Sequence, residues 1–568
     1  MPKTMSQKKK RRNILIGIIA LVLVGLFIVA KGMINPILEK TLDAYLREKL
    51  EVRWVSPTYR FSYEDVDVDI VSRRITFTDF RMSPLEEYRE AFLKDTTGGK
   101  ALRSIYADEI TVQGIGLLNF LWDKNIEIDE IDVKAVTVDH LVPPKIKKTS
   151  DEISKPKGAG IEGIRLPGIK KLSLGRFNLG SFDMHQIRKG TSDTLLSFHS
   201  EGGNVDGLSL IKAKGDDKSY FEPNLHDLVL QLNAQVLNLK QALYEVSITD
   251  LKYTYDSEDL EIEGIIFEPR EDRQTFRDKS QYSYEIYDAT VQRLFLENFN
   301  LDRFLDQGIV VLKKMELDSL NLNIFRDKTK PFNTEKRVLL LNQKMQALDF
   351  PLYIGAIEVK NSYLQYTEQS DYSKPPLVLD FSDLQVHLSR LTSIPDSLQM
   401  GGPLEIELNA KLDRSVPVGI KLNMPYNHHT FHLSGHTEKA ASFASLNKTV
   451  LPALGLQFTS GSLDGLNFHM TGTPYAVKGE LTLRYHDLTV EIDKPDQQKK
   501  KTLSWVANTL LKKSNPHQNG RLIVGEIAFD RVMYKGLGNF AWKGVQSGLV
   551  NSINPFGDHR VIKHQNPK

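Results

Sequence analysis

The chain has 568 residues, 40% of them hydrophobic and 26% charged, with a formal net charge of +2. Near-neutrality excludes the strongly basic surface that general nucleic-acid binding requires. The absence of cysteine excludes disulfides, thiol catalysis and Cys-ligated zinc or iron–sulfur centres.

The first element is an uninterrupted run of 17 apolar or glycine residues at 14–30, directly preceded by KKKRR at 8–12. Extended by Gly32, Met33 and Ile34, it reaches the length of about 20 residues that crosses a bilayer. Segment 13–34 is therefore expected to be a single transmembrane anchor. Five cations before it and one after, Lys31, place residues 1–12 in the cytoplasm and the remainder across the membrane. A cleaved signal peptide fits less well, because the apolar run exceeds the usual 7–15 or so residues and no A-x-A precedes Lys31.

Pro36 opens an amphipathic stretch through Leu50, with Ile37, Leu38, Leu42, Tyr45, Leu46 and Leu50 at helical spacing. It is expected to cap the first strands in preference to lying on a membrane surface. Residues 35–142 thus hold this helix and a first β segment. The Pro-, Lys- and Gly-rich stretch 143–160 is a flexible loop or linker. Segment 161–350 is a middle β region, with a weaker break at Lys330, Pro331, Phe332 and Asn333. Segment 351–495 is a C-terminal β region. Residues 496–568 hold two short amphipathic helices (503–511 and 540–553), a last strand and a tail. Phe540, Trp542, Val545, Leu549 and Ile553 lie mostly on one side of the second helix, which suits sealing the end of a sheet.

Between these landmarks one pattern recurs: apolar, any, apolar, two spacers, apolar, any, apolar. Copies are Ile75-Phe77-Phe80-Met82, Ile110-Val112-Ile115-Leu117, Ile131-Val133-Val136-Val138, Leu172-Leu174-Phe177-Leu179 and Val246-Ile248-Leu251-Tyr253. Others are Leu260-Ile262-Ile265-Phe267, Leu294-Leu296-Phe299-Leu301, Met315-Leu317-Leu320-Leu322, Leu379-Phe381-Leu384-Val386, Leu483-Tyr485-Leu488-Val490 and Ile527-Phe529-Val532-Tyr534. Ile357-Val359 with Tyr363 and Tyr366 is a looser relative. Two period-2 segments offset by one residue describe a strand with a bulge or bend midway, its apolar residues kept on one face. Spacers such as Asp79, Gly114, Asp250, Gly264, Asn298, Asp318 and Asp383 suit a local break in pairing. The fold expected is mainly β: the anchor, then an elongated, curved antiparallel sheet forming a groove, with short capping helices.

No catalytic constellation stands out. Asp65, Asp67 and Asp69 lack the glycine and closing glutamate of a calcium loop and read as the acidic face of a strand. His428, His429, His432 and His436 are spaced too widely along a strand for one ion, neighbours on a face being about 13 Å apart. The segment 461–465 (GSLDG) lacks the nucleophile-elbow order and reads as a turn between strands. The chain is read as non-enzymatic, with no metal and no cofactor.

DVDVDIVSRRITFTDFRM (65–82), TSGSLDGLNFHMTGTPYAVKGELTLRYHDLTVEI (459–492) and GEIAFDRVMYKGLGNFAWKGVQSGL (525–549) resemble segments of AsmA-like proteins, the last of them the tail of Bacteroidota-type members. The region 352–492 as a whole looks like their C-terminal part. The resemblance implies an inner-membrane anchor, a long periplasmic β-groove and kinship with chorein-type bridge-like lipid-transfer proteins. It implies no catalytic residues.

The expectation is an envelope protein that binds or conducts phospholipid-type lipids along an apolar β-groove between inner and outer membrane, supporting outer-membrane homeostasis. Candidate groove residues are Ile131, Val133, Val136, Ile248, Leu251, Leu317, Leu320, Phe381 and Leu384. Expected partners are membrane lipids, the inner membrane through the N-terminal helix, and an outer-membrane or periplasmic protein; nucleic acid is not among them. The alternative is a membrane-tethered periplasmic scaffold that assists or restrains outer-membrane protein assembly without lipid transfer, its sheet edges pairing with partner strands.

Overall fold

The computed structural model describes residues 35–51, 58–94, 101–115, 125–142, 164–165, 171–188, 194–212, 220–224, 226–239, 243–394, 401–437, 442–447, 456–492, 513–517, 519–553 and 558–563. The expected anchor (13–34), linker (143–160) and helix 503–511 lie outside the described residues. Among the described residues no helix is long and apolar enough to cross a membrane. The chain is mainly β, one large mixed sheet with few helices. It divides into two compact units, 1–146 with 157–240 and 250–258, and 147–156 with 241–249 and 259–568. The division therefore falls inside the expected middle region.

In the first unit the strand Asp65–Asp69 alternates as its sequence demands. Val66 and Val68 are buried while Asp65 and Asp67 face water. Asp69 departs from that acidic face: it is buried, and its carboxylate accepts from the N–H of Val71 and Ser72 in the turn. The helix Asn35–Glu51 packs Leu42 on Tyr63, Val66 and Val68. Tyr63 donates to Asp43 Oδ1 at 3.0 Å, and Arg47 donates to the Glu64 carbonyl at 2.8 Å. The helix is thus the expected cap, although Ile37 and Leu38 point outward and are exposed.

The repeated pattern has a backbone cause. Its second spacer residue adopts a left-handed conformation in eight copies: Asp79, Gly114, Ala135, Gly264, Asn298, Ser319, Asp383 and Asp487, with φ between +46° and +75°. In the Met315 copy that residue is Ser319, not Asp318. The looser relative belongs to the same set, with Asn361 at φ +50° and buried Ser362, not Tyr363, as its third position. One left-handed residue flips the strand's phase, so apolar side chains return to the same face after the break. The copies at Gly114 and Asn298 sit at strand ends, where the same conformation makes a turn.

Neighbouring strands break side by side. In the first unit Ala135, in the strand Asn125–Val142, lies beside Gly180 and Ser181, which separate the strands Lys171–Leu179 and Phe182–Arg188. Next come Gly202 (φ +146°) and Ala234 (φ +45°), facing each other's strands. In the second unit Ser319, Asn361 and Asp383 occupy the same position on adjacent strands. Each unit therefore carries a crease running across its strands.

The sheet is mixed, which corrects the antiparallel expectation. Asn125–Val142 runs parallel to Lys171–Leu179 and Phe182–Arg188, and Leu352–Gln369 runs parallel to Val310–Asp318 and Asn321–Asp327. A parallel pair needs a crossover. Residues 328–351, including the helix Leu341–Ala347, supply it in the second unit. The segment 461–465, expected as a turn, lies inside the strand Leu456–Gly472, where pairing shifts register on both sides of Ser462.

The C-terminal end of the second unit is closed. The helix Leu537–Ile553 lays Phe540, Val545, Leu549 and Ile553 on a core containing Met470, Val477, Leu481 and Ile527. Gly544 and Gly548 let it approach: an added Cβ would meet Met470 and Val477 at 3.0 Å, or Ile527 and Leu481 at 2.8 Å. Trp542 departs from the expected apolar side and is 52% exposed.

Candidate functional site

The pairing register of the second unit brings its apolar positions into rows. Ile262, Leu294, Leu317, Val359, Val386, Leu408 and Ile420 stand opposite one another on seven successive strands. Leu260, Leu296, Met315, Ile357, Leu388, Ile406 and Leu422 form a second row two residues away. Beyond the crease, Phe267, Ala289, Leu322, Leu364, Phe381 and Leu412 form a third. Residues opposite in register share a face. Strand spacing of about 4.8 Å makes each row roughly 25–30 Å long.

Burial changes along the first two rows. Leu294, Leu317, Val359, Val386, Leu408 and Ile420 are half-buried, while Ile262, Leu260, Leu296 and Leu422 in the same rows are buried and Leu481 and Ile527, farther along the same face beneath the terminal helix, are wholly so. The short helix Leu341–Ala347 packs near Leu388 and Leu391, and its Asn342 amide donates to the Pro425 carbonyl at 2.9 Å.

The opposite face is a ladder of charges. Arg293 pairs with Glu261 at 2.5 Å, Glu316 accepts from both Lys314 and Lys360 at 2.8 Å, His387 meets Glu358 at 2.7 Å, and Lys421 holds Glu407 at 2.8 Å. Hydrogen bonds from Lys314 and Lys360 pull the Glu316 carboxyl down to about 2. This face is made for water and the other is not.

The expected groove residues fall in three places. Ile131, Val133 and Val136 cluster in the first unit with Ala107, Phe80, Ile110, Leu179 and Phe182; Val133 and Val136 are buried and Ile131 is half-buried. Ile248 and Leu251 share the strand Tyr244–Thr254, both half-buried, with Ile248 in the second unit and Leu251 in the first. Leu317, Leu320, Phe381 and Leu384 come together in the second unit: Leu317 and Phe381 lie in the rows above. Leu320 and buried Leu384 flank Ser362, whose hydroxyl accepts from the Leu320 N–H at 3.0 Å. The pattern missed eight members of the rows: Ala289, Leu364 and Leu388, which fall outside its copies, and Ile406, Leu408, Leu412, Ile420 and Leu422, because the strands Leu404–Leu412 and Val416–Met424 alternate without a break. Plain period-2 alternation was the signal available there.

His432 and His436 stand exposed on the strand Phe431–Thr437, and no metal-holding group of side chains occurs among the described residues. No protein-family model matches the chain, and no curated protein matches it.

Proposed function

We propose that the chain is a non-enzymatic envelope protein that binds or conducts phospholipid-type lipids along the apolar face of its sheet, between inner and outer membrane. In this reading residues 13–34 anchor it in the inner membrane, with the N-terminus cytoplasmic and the bulk periplasmic. The observation that carries the reading is the half-buried condition of Leu294, Leu317, Val359 and Val386, on a face whose reverse side carries a ladder of ion pairs. A sheet face this apolar ordinarily packs on a second layer. Covering it with acyl chain gains roughly 0.8 kcal/mol per methylene, and a row of about 25–30 Å accommodates a chain that fills half of a bilayer core about 30 Å thick. The resemblance to AsmA-like proteins points the same way.

The test is Leu320→Glu, with lipid that co-purifies with the full chain measured by mass spectrometry. The variant is expected to lose most of its lipid, at least fivefold, while its circular dichroism stays unchanged. A folded variant with undiminished lipid, or a lipid-free wild type, would refute the reading.

A second reading is a tethered scaffold for outer-membrane proteins. It draws on the strand His559–Lys563, which pairs with Arg521–Asp530 and exposes Val561 and Ile562. Photo-crosslinkers at Val561 that capture a partner strand, together with no bound lipid, would favour it.

A further inference from the structure

Past the third apolar row the same face of the second unit turns cationic. Arg326, two residues beyond Ile324, stands opposite Glu285 on one side and Glu368 on the other. It pairs with Glu285 at 2.6 Å, and Lys328 pairs with Glu368 at 2.5 Å. The segment leading into the terminal helix adds more charge here. The Val338 N–H donates to the Met533 carbonyl at 2.9 Å, tying this segment to the loop that carries Phe332.

Lys535 Nζ lies 4.6 Å from the centre of the Phe332 ring and 5.8 Å from that of Tyr534, and the Arg326 guanidinium lies 5.5 Å from the same Phe332 ring. Lys328, Arg326 and Lys543 all repel the Lys535 ammonium. Glu368 attracts it, but that carboxylate already holds Lys328. Among the described residues Lys535 has no ion pair of its own; its contacts are the two rings. Burial and the neighbouring cations hold its amine below the usual lysine range. Four cations against two carboxylates, with a partly desolvated cation unpaired, is a costly arrangement unless an anion joins it. Gly536 and Gly538 leave open space beside Lys535 where side chains would otherwise stand.

We infer that Lys535, with Arg326 beside it on Phe332 and with Lys328 and Lys543 nearby, forms a binding site for a phosphoryl anion at the end of the apolar rows. A phospholipid then lays an acyl chain along Leu322 and Ile324 and sets its phosphate at Lys535, where charge-assisted hydrogen bonds hold it. The placement of the acyl chain rests on the lipid-binding reading above; the anion site does not.

The test uses the full chain purified in detergent, with three probes: phosphatidylglycerol, diacylglycerol of the same acyl chains, and inorganic phosphate. Wild type is expected to prefer phosphatidylglycerol over diacylglycerol by at least tenfold. Lys535→Glu should erase that preference while leaving diacylglycerol retention unchanged, and Lys535→Gln serves if the charge reversal disturbs folding. Inorganic phosphate that binds wild type as tightly as the phospholipid does, and is lost in Lys535→Gln, identifies a free anion as the ligand and still supports the site. Wild type that retains neither lipid but binds phosphate sinks the groove reading and spares the anion site. A folded Lys535→Gln protein with undiminished preference for the phosphorylated lipid and undiminished phosphate binding overturns the inference, as does a wild type indifferent to phosphate in every probe.

Discussion

Leu481 and Leu317 occupy the same face of the same sheet, yet one is wholly buried and the other half-open. The strands beneath them are built alike, alternating apolar and polar residues on paired neighbours. The difference comes from a separate element. At Leu481 the helix Leu537–Ile553 offers Gly544, Gly548 and Ser552 on one side, and small residues let it come close enough to exclude water. Among the described residues no helix lies over Leu317 and Val359 in the cluster that the terminal helix seals; the short helix Leu341–Ala347 packs toward Leu388 and Leu391. Sealing a sheet and leaving it available are thus decided by what is packed on it.

The largest effect expected from this contrast is in stability. Phe540 is wholly buried, with Phe431 6.1 Å away edge-on. Phe540→Ala should cost about 3–5 kcal/mol in chemical denaturation, as for other buried aromatics. Leu317→Ala should cost about 1 kcal/mol, since much of its surface is never removed from water. Equal losses at the two positions would show the middle of the face to be an ordinary closed core, and the lipid reading would lose its basis. Conversely, Leu317→Ala should deplete bound lipid more than Phe540→Ala does in protein that remains folded.

The creases yield a smaller and less intuitive effect. Ala135 is left-handed, at φ +46°, in the middle of a long strand. An alanine there suffers strain of roughly 1–2 kcal/mol that glycine does not. In an ordinary strand Ala→Gly loses about 0.5–1 kcal/mol. Ala135→Gly should instead leave stability unchanged or raise it by up to about 1 kcal/mol, read as the denaturation midpoint. A clear loss would mean that the crease does not persist in solution.

How far the fold was legible depends on residue type and on distance along the chain. Asp79, Gly264 and Asp383 announced their breaks because Asp and Gly tolerate left-handed backbone. Ala135 was found only through the phase of its apolar neighbours, and Ala234 was not found, since alanine carries no such signal and its strand Val229–Leu239 lacks the pattern. The parallel pairings stayed hidden for a different reason: a strand's own alternation does not say which neighbour a crossover delivers. The rows of the candidate site were legible where the pattern ran and invisible as rows, because they depend on register between strands. The cluster at Lys535 was not legible at all. Its members come from the strand Asn321–Asp327, the loop after it, the segment before the last helix and that helix itself, and only folding brings them together.

An effect of similar size, confined to acid pH, concerns the charged face. Glu316 accepts from Lys314 and Lys360, which lower its carboxyl from the usual 4.5 to about 2. A carboxylate depressed on folding adds stability that is fully present above its unfolded value and is lost as the pH falls through its folded value. The loss should therefore run from about pH 5 to about pH 2. Its size is set by exposure: Lys360 is 45% and Lys314 31% open to solvent, so the pair of bonds is screened and contributes on the order of 1 kcal/mol. Glu316→Gln should flatten that part of the stability–pH curve and leave bound lipid unchanged at neutral pH, because the side chain points away from the apolar rows. Lipid loss in this variant comparable to that in Leu317→Ala would mean that the two faces of the sheet do not divide water from lipid as their chemistry says.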